Sequence, residues 1–471
     1  MRITRVSVKK LFGIFDHDIS LKMESRITII HAPNGFGKTV LMRMIDGLFT
    51  SKYKIFSDVP FEQFSVFLES GERICVSPDS SDAKTQVTDL ESDEDEGDQA
   101  VFNFKILYYK KQSCEDPENY RPRFSRAQRV RLRRMVESIP DLERVGRDRW
   151  LNMKTGTYLT FESAIESFDL QARLSKEFDP DWLIRMKENV HTRFVQAERL
   201  RSRRPSEPFR PYYADRNAPI SPEYTVEEFS NEIVKKIGET TDEYAERSQA
   251  IDRSFPSRVI GEGGIREFDK DLDDRLNNLE KERKRLMSLG LLEKEEDAPD
   301  ISGLRSPHEN DKNIERDLAR VFFSTYVQDI EDKLLAFDNI SEKLRILTRI
   351  LNKRFQYKTM TVDKKEGFVI EAGDKSPIKI SSLSSGEQHE LVLLYQLLFH
   401  VKRDSLILID EPELSLHVVW QRRFLEDLEE IIKVGGFDVL VATHSPQIIH
   451  DKWDWMVDMH NPDGELDDET E

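Results

Sequence analysis

Cysteine is nearly absent. Only Cys75 and Cys114 occur in 471 residues, which excludes a disulfide framework and a four-cysteine zinc site. That usage fits a reducing cytoplasm. Long apolar runs are also missing. No stretch reaches the roughly 18 residues that a membrane helix needs, so no membrane partner is expected. The start, Met1-Arg2-Ile3-Thr4-Arg5-Val6, enters strand alternation at once, so no signal peptide is expected. Hydrophobic residues are scarce as well, 38% against 34% charged, a balance suited to long exposed helices. The ten histidines show no metal-ligand spacing on a common helix or finger. Apart from the acid pair described next, no ordered acidic cluster ends a strand. The chain is therefore not expected to be a metal-dependent nuclease itself.

What the chain does have is Leu406-Ile407-Leu408-Ile409-Asp410-Glu411-Pro412-Glu413. Four apolar residues in a row read as a buried strand, and two carboxylates sit at its carboxyl end. Open α/β sheets bind ligands at that edge. One carboxylate can hold Mg2+, and the next can polarise an attacking water.

Earlier in the chain, residues 2–30 alternate apolar and polar, which predicts two antiparallel strands with a turn at Gly13. Arg26 to Ile30 then reads as a buried strand. The loop Ala32-Pro33-Asn34-Gly35-Phe36-Gly37-Lys38-Thr39 follows, and Val40 to Phe49 carries Leu41, Met44, Ile45 and Leu48 at helical spacing. Strand, loop and helix match the phosphate-binding loop, with Ala32 where glycine is usual. Backbone N–H groups around Asn34, Gly35 and Gly37 would wrap phosphates at a helix N-terminus. Lys38 would reach the β- and γ-phosphates of ATP, and Thr39 would ligate Mg2+. Ala32 is unstrained only if its φ is negative.

Further strands are expected over Phe61 to Val76, with a turn at Ser70-Gly71, and over Val101 to Lys110. Between them, Asp79 to Gln99 is a solvated acidic loop, expected to be disordered. Net charge is −18, with acid concentrated there and after Asp463, and base concentrated between Arg121 and Arg216. Arg121 to Arg149 holds ten arginines in a helical context, either a solvated face or a contact to DNA phosphates. Phe194 to Ala197 reads as a short strand and Pro205 to Pro222 as a linker. Residues 223–290 are mostly helical. Ile265, Phe268, Leu272, Leu276, Leu279 and Leu286 suggest a short antiparallel helical hairpin. Helix returns from about Ile314 to Phe355.

Ser381-Ser382-Leu383-Ser384-Ser385-Gly386-Glu387-Gln388 precedes an apolar helix from Leu391 to Val401. Serines and a glycine at a helix N-terminus make a second anion site. It has a use if it closes on the nucleotide of another subunit. A last buried strand, Phe437 to Ala442, ends at Thr443-His444-Ser445.

This order of motifs resembles the ABC-type ATPases of the SMC, RecF and overcoming-lysogenization-defect group. The strong motifs cover about the first 50 and the last 90 residues. The resemblance implies an α/β fold, an ABC-type P-loop ATPase head with a mixed sheet flanked by helices, split by a mostly helical insertion. The borders expected are 1–114 for the first part of the head, 115–330 for the insertion and 331–471 for the rest. Lys38 and Thr39 match the Walker A loop. Asp410 matches the Mg2+ residue, Glu411 the base for hydrolysis and His444 the switch histidine. Ser384, Ser385, Gly386, Glu387 and Gln388 fall in the signature that binds γ-phosphate in trans, and Ser415 to His417 match the dimer-contact loop. Gln63 is either the glutamine placed between nucleotide and inserted domain or a solvated strand residue.

Leu-Ser-Ser-Gly-Glu-Gln, Asp-Glu-Pro-Glu-Leu-Ser-Leu-His and Ala-Thr-His-Ser-Pro-Gln-Ile-Ile look most like the PtuA-like ATPases of Septu and retron-associated anti-phage systems. That resemblance implies a cytoplasmic homodimer or higher homo-oligomer that gates a separately encoded HNH nuclease subunit (PtuB-like) acting on DNA. The insertion lacks the Cys-x-x-Cys of zinc-hook repair ATPases. Only 27 residues follow His444, so no fused Toprim nuclease is expected. Two alternatives remain open. One is a RecF- or SMC-like repair clamp without a nuclease partner. The other is a transporter nucleotide-binding subunit, which the long insertion disfavours.

Overall fold

The computed structural model describes residues 1–79, 103–111, 116–122, 126–140, 142–146, 149–153, 158–167, 179–196, 222–261, 272–292, 313–414 and 418–459. The acidic run 80–99, Cys114, the arginines from Arg199 to Arg204, Ser415 to His417 and the tail after Asp463 lie outside the described residues. The chain divides into two compact units, Met1–Ala214 with Val401–Glu471, and Asp215–His400. These borders fall elsewhere than the ones drawn from sequence at 114/115 and 330/331.

The first unit contains two large sheets. Strands β1 (Ile3–Leu11), β2 (Phe15–Ser20), β4 (Gln63–Leu68), β5 (Arg73–Pro78), β6 (Phe104–Tyr109) and β7 (Glu118–Tyr120) form an antiparallel sheet in the order β2-β1-β4-β5-β6-β7. Its period-two alternation buries Val6, Val8, Phe64, Val66, Ile74, Val76 and Ile106 on one face. The expected turn at Gly13 joins β1 to β2, with φ +80°.

The second sheet is parallel. Strands β3 (Ile27–His31), β11 (Thr192–Gln196), β15 (Leu406–Asp410), β16 (Asp438–Ala442) and β17 (Met456–Asp458) take the order β11-β15-β16-β3-β17. Strands β15 and β16 are buried throughout, which is why they read as continuous apolar runs rather than alternations. The fold class is the expected α/β one, with parallel and antiparallel strands sorted into separate sheets.

Helix α1 (Lys38–Thr50) follows β3 and buries Leu41, Met44, Ile45 and Leu48 completely, in one core with the apolar face of the antiparallel sheet. Each such side chain stabilises the fold by about 1.5–3 kcal/mol. Arg2, just before β1, grips Asp438 of β16 through two bonds of 2.7 and 2.6 Å and also donates to Met23 O. This bidentate pair, largely buried, ties the start of an inner strand of one sheet to the start of a strand in the other.

The arginine-bearing stretch is not helical throughout. A helix covers Arg126–Glu137, but Leu142–Arg144, Arg149–Asn152 and Tyr158–Thr160 are strands β8, β9 and β10 of a three-stranded antiparallel sheet. Trp150, Leu132, Val136 and Phe161 form its own small core. Strands of three or four residues are too short to show a period, so the helical pattern of their neighbour dominated the reading.

The second unit is mainly helical, with helices Pro222–Gly261, Leu272–Ser288, Asn313–Leu334 and Asp338–Arg354. Pro222–Gly261 runs antiparallel to Asn313–Leu334: Lys333 reaches Asp252 at 2.7 Å, and Arg258 reaches Asp329 at 2.7 Å. Strands β12 (Lys358–Asp363), β13 (Gly367–Ala372) and β14 (Pro377–Ile378) follow as an antiparallel sheet. Helix Ser385–Tyr395 then continues as a π-helical turn, Gln396–His400. Among the described residues, no helix is long and apolar enough to cross a membrane.

Candidate active site

The loop between β3 and α1 is shaped by its glycines. Gly35 and Gly37 adopt φ +94° and +87°, which other residues reach only with strain. A Cβ on Gly37 would meet Leu11 Cδ2 at 2.5 Å. Ala32 is buried and does not fall among the positive-φ residues, so its methyl adds no strain where glycine is usual. Buried His17 on β2 steadies the loop: its Nε2 donates to Phe36 O at 2.9 Å. Asn34 and Gly35 are exposed at the tip.

Lys38, at the start of α1, is 5% exposed. Its ammonium donates back to Ala32 O at 2.5 Å and Pro33 O at 3.1 Å. Burial lowers its pKa, and the carboxylates of Glu411, Asp410 and Glu413 work against that. A phosphate in the loop would compete with two carbonyls for the ammonium protons.

The parallel register sets Asp410 opposite Ala442, and Ala442 opposite Ile30. The carboxyl ends of β15, β16 and β3 are therefore adjacent. Asp410 is raised above the usual aspartate range, first by burial, although a hydrogen bond from Thr39 pulls the other way. Thr39 thus lies beside Asp410. Among the described residues, Asp410 Oδ1 is buried without a hydrogen-bond partner.

Glu411 turns the chain out of the sheet with φ +47°, and its N–H donates to Ala442 O at 2.9 Å. Its carboxylate Oε1 is 3.8 Å from Nδ1 of His444. The same nitrogen is 3.4 Å from Glu413 Oε1. Glu413 accepts from the Thr443 hydroxyl at 2.8 Å and from the His444 N–H at 3.2 Å. Thr443 is fully buried. Nothing local in the sequence marks Glu413, Thr443 or His17 as functional. Glu413 follows closely on Asp410-Glu411, but its use depends on β16 lying beside β15.

Gln63 opens β4 in the antiparallel sheet, paired with Lys9. The signature residues belong to the second unit. Ser384 caps helix Ser385–Tyr395 and forms a capping box with Glu387. Ser384 and Ser385 are exposed, whereas Gln388 is buried and donates to Leu383 O at 3.1 Å. The N–H groups of this helix's first turn, which are free of intrahelical partners, follow directly on those exposed serines.

Three solved structures are similar to the chain at low identity, each with a TM-score of 0.30. The Smc head domain of Pyrococcus furiosus, with an extended coiled coil and bound to the C-terminal domain of ScpA, is 13% identical over 95% of this chain and 91% of that one. The Smc head domain with a coiled coil and joint from Pyrococcus yayanosii is 12% identical over 95% and 93%. The SMC head domain from Thermotoga maritima is 10% identical over 95% and 91%. No curated protein matches the chain. A family profile described as AAA ATPase domain matches residues 1–449, a span that holds the loop from Ala32 to Thr39, Asp410, Glu411 and His444, and the chain belongs to that family.

Proposed function

We propose that the chain binds and hydrolyses ATP with Mg2+ in composite sites of a head-to-tail homodimer, and that closure of the dimer gates a separately encoded HNH-type nuclease acting on DNA. The observation that carries the reading is the meeting of Lys38, Thr39, Asp410, Glu411 and His444 at one carboxyl edge of the parallel sheet. Open α/β sheets place ligands at that edge.

The donor set fits a hard cation. Thr39 offers a hydroxyl, and Asp410 a carboxylate with one oxygen buried and without a hydrogen-bond partner. Those two residues would hold Mg2+, which would neutralise charge on the transferring phosphate. The loop N–H groups from Asn34 to Thr39 receive phosphate oxygens, and Lys38 leaves its two carbonyls for them. Glu411, exposed enough to meet water, orients the attacking water and takes its proton. His444 sits against Glu411 and Glu413, in the place of the switch histidine. Ser384, Ser385 and Gly386 of a second copy complete the site, with Glu387 and Gln388 keeping that helix start in shape. Charge-assisted contacts of this kind carry most of phosphoryl-transfer catalysis.

The wording of the signature, of Asp-Glu-Pro-Glu and of Thr-His-Ser supports a cytoplasmic role in anti-phage defence. The arginines between 121 and 216 supply positive charge for DNA or for the nuclease subunit. The test is incubation with DNA and Mg2+ or Mn2+, with and without the product of a neighbouring nuclease gene. Cleavage only with that product, altered by Lys38→Ala, is the expected result. Cleavage by the chain alone that survives Glu411→Gln and repurification would overturn the gating role.

A further inference from the structure

The signature serine is already occupied. The Ser384 hydroxyl and the Ser384 N–H both donate to Glu387 Oε2, each at 2.8 Å, and Glu387 N–H returns to Ser384 Oγ at 3.4 Å. A carboxylate therefore stands at the helix start that would receive the partner's γ-phosphate. Left bare, it would repel that phosphate and hold the hydroxyl proton.

It is not bare. Lys358 places its ammonium 3.0 Å from Oε1 and 2.9 Å from Oε2 of Glu387, bridging both oxygens. Only 24% of the lysine side chain and 13% of the glutamate side chain are exposed, so the pair is better shielded than a surface ion pair. Burial opposes ionisation of Glu387, yet Lys358 and Ser384 together hold its carboxyl below the usual range. The backbone fixes the lysine. Lys358 opens β12 opposite Ala372, and Gly373 N–H bonds to the preceding carbonyl, Tyr357 O, at 3.0 Å.

We infer that Lys358 is a positioning residue for the contact made in trans: it neutralises Glu387, so that the exposed serines and the helix start attract the partner's phosphate instead of repelling it. This rests on the reading that the signature closes on a second copy's nucleotide. A capping box alone needs Glu387 but not Lys358, because the N-cap N–H is satisfied by the carboxylate oxygen whatever lies behind it.

The test uses the full chain with Lys358→Met, Lys358→Arg, the double variant Lys358→Met/Glu387→Gln, and Ser384→Arg. Steady-state hydrolysis is measured, with ATP-dependent dimerisation, nucleotide affinity of the monomer and thermal melting. Lys358→Met should lose about tenfold or more in kcat and in dimerisation with monomer affinity for ATP preserved. Lys358→Arg should recover part of that loss. The double variant should exceed Lys358→Met, because glutamine still accepts from Ser384 but carries no charge. Equal impairment of single and double variants, with a lowered Tm in both, would mean a merely structural pair and overturn the inference. Wild-type behaviour of Lys358→Met beside an inactive Ser384→Arg would also overturn it and leave the composite site standing. Wild-type hydrolysis by Ser384→Arg would bring down the composite site itself.

Discussion

Nδ1 of His444 lies 3.8 Å from Oε1 of Glu411. One residue is at the end of β16 and the other at the end of β15, so the contact exists only because these strands are parallel neighbours. Glu413 makes it durable. Its carboxylate ties the Thr443 hydroxyl and the His444 N–H to the turn that follows Glu411.

Removing that tie should separate the two strand ends. Glu413→Ala would leave the buried Thr443 hydroxyl and the His444 N–H without their acceptor, at a cost of about 1.5–3 kcal/mol for a bond to a charged group. The expected outcome is a lower Tm and a clear fall in kcat with a smaller change in nucleotide affinity. Glu413→Gln, which keeps one acceptor oxygen, should fall between Glu413→Ala and wild type in both readouts. Unchanged melting and kcat in Glu413→Ala would remove Glu413 from the account.

Asp410 should trade stability for function. Burial raises its carboxyl, so the folded chain holds that proton more tightly than the unfolded chain does. Stability from this group is complete below its unfolded pKa and is lost as pH rises through its folded pKa. Asp410→Asn, which mimics the protonated form, should therefore raise the Tm of the nucleotide-free chain at neutral pH. The gain should shrink toward acid pH, below the ordinary aspartate range. The same variant should lose Mg2+-dependent nucleotide binding, and the acid limb of wild-type hydrolysis should lie above that range. Melting curves across pH and titration with ATP and Mg2+ check both sides. A variant less stable than wild type at neutral pH would contradict the burial penalty on the Asp410 carboxylate.

Trans sharing predicts complementation. Lys38→Ala and Ser384→Arg should each abolish hydrolysis. In a mixture, some heterodimers pair one intact Lys38 loop with one intact signature, and part of the activity should return. The measurement is ATPase rate against mixing ratio, with heterodimer formation followed by differential tags. Formation of heterodimers without any recovery would exclude a composite site.

The parts of the fold that could be read in the sequence are those with a strong local signal. Leu406 to Ile409 had to be apolar throughout because both faces of β15 are covered. Gly35 and Gly37 mark the loop between β3 and α1 because their backbone angles exclude most other residues. The misreadings share a cause, which is that pairing over distance leaves no local trace. Strands β8 to β10 are short enough to hide beside the helix Arg126–Glu137. Glu413 was visible as a residue but not as an anchor, since its partners sit thirty and thirty-one positions onward. Lys358 gave no signal at all, because it stands twenty-nine residues before Glu387.

The central claim is that Glu411 at the end of β15 is the base for ATP hydrolysis. Glu411→Gln keeps the side-chain shape and removes the base. Its steady-state ATPase rate, measured beside ATP affinity and ATP-dependent dimerisation, tests the claim most directly. The account predicts a rate lowered about 100-fold or more, with ATP still bound and the dimer held closed. Hydrolysis by Glu411→Gln at the wild-type rate would contradict it.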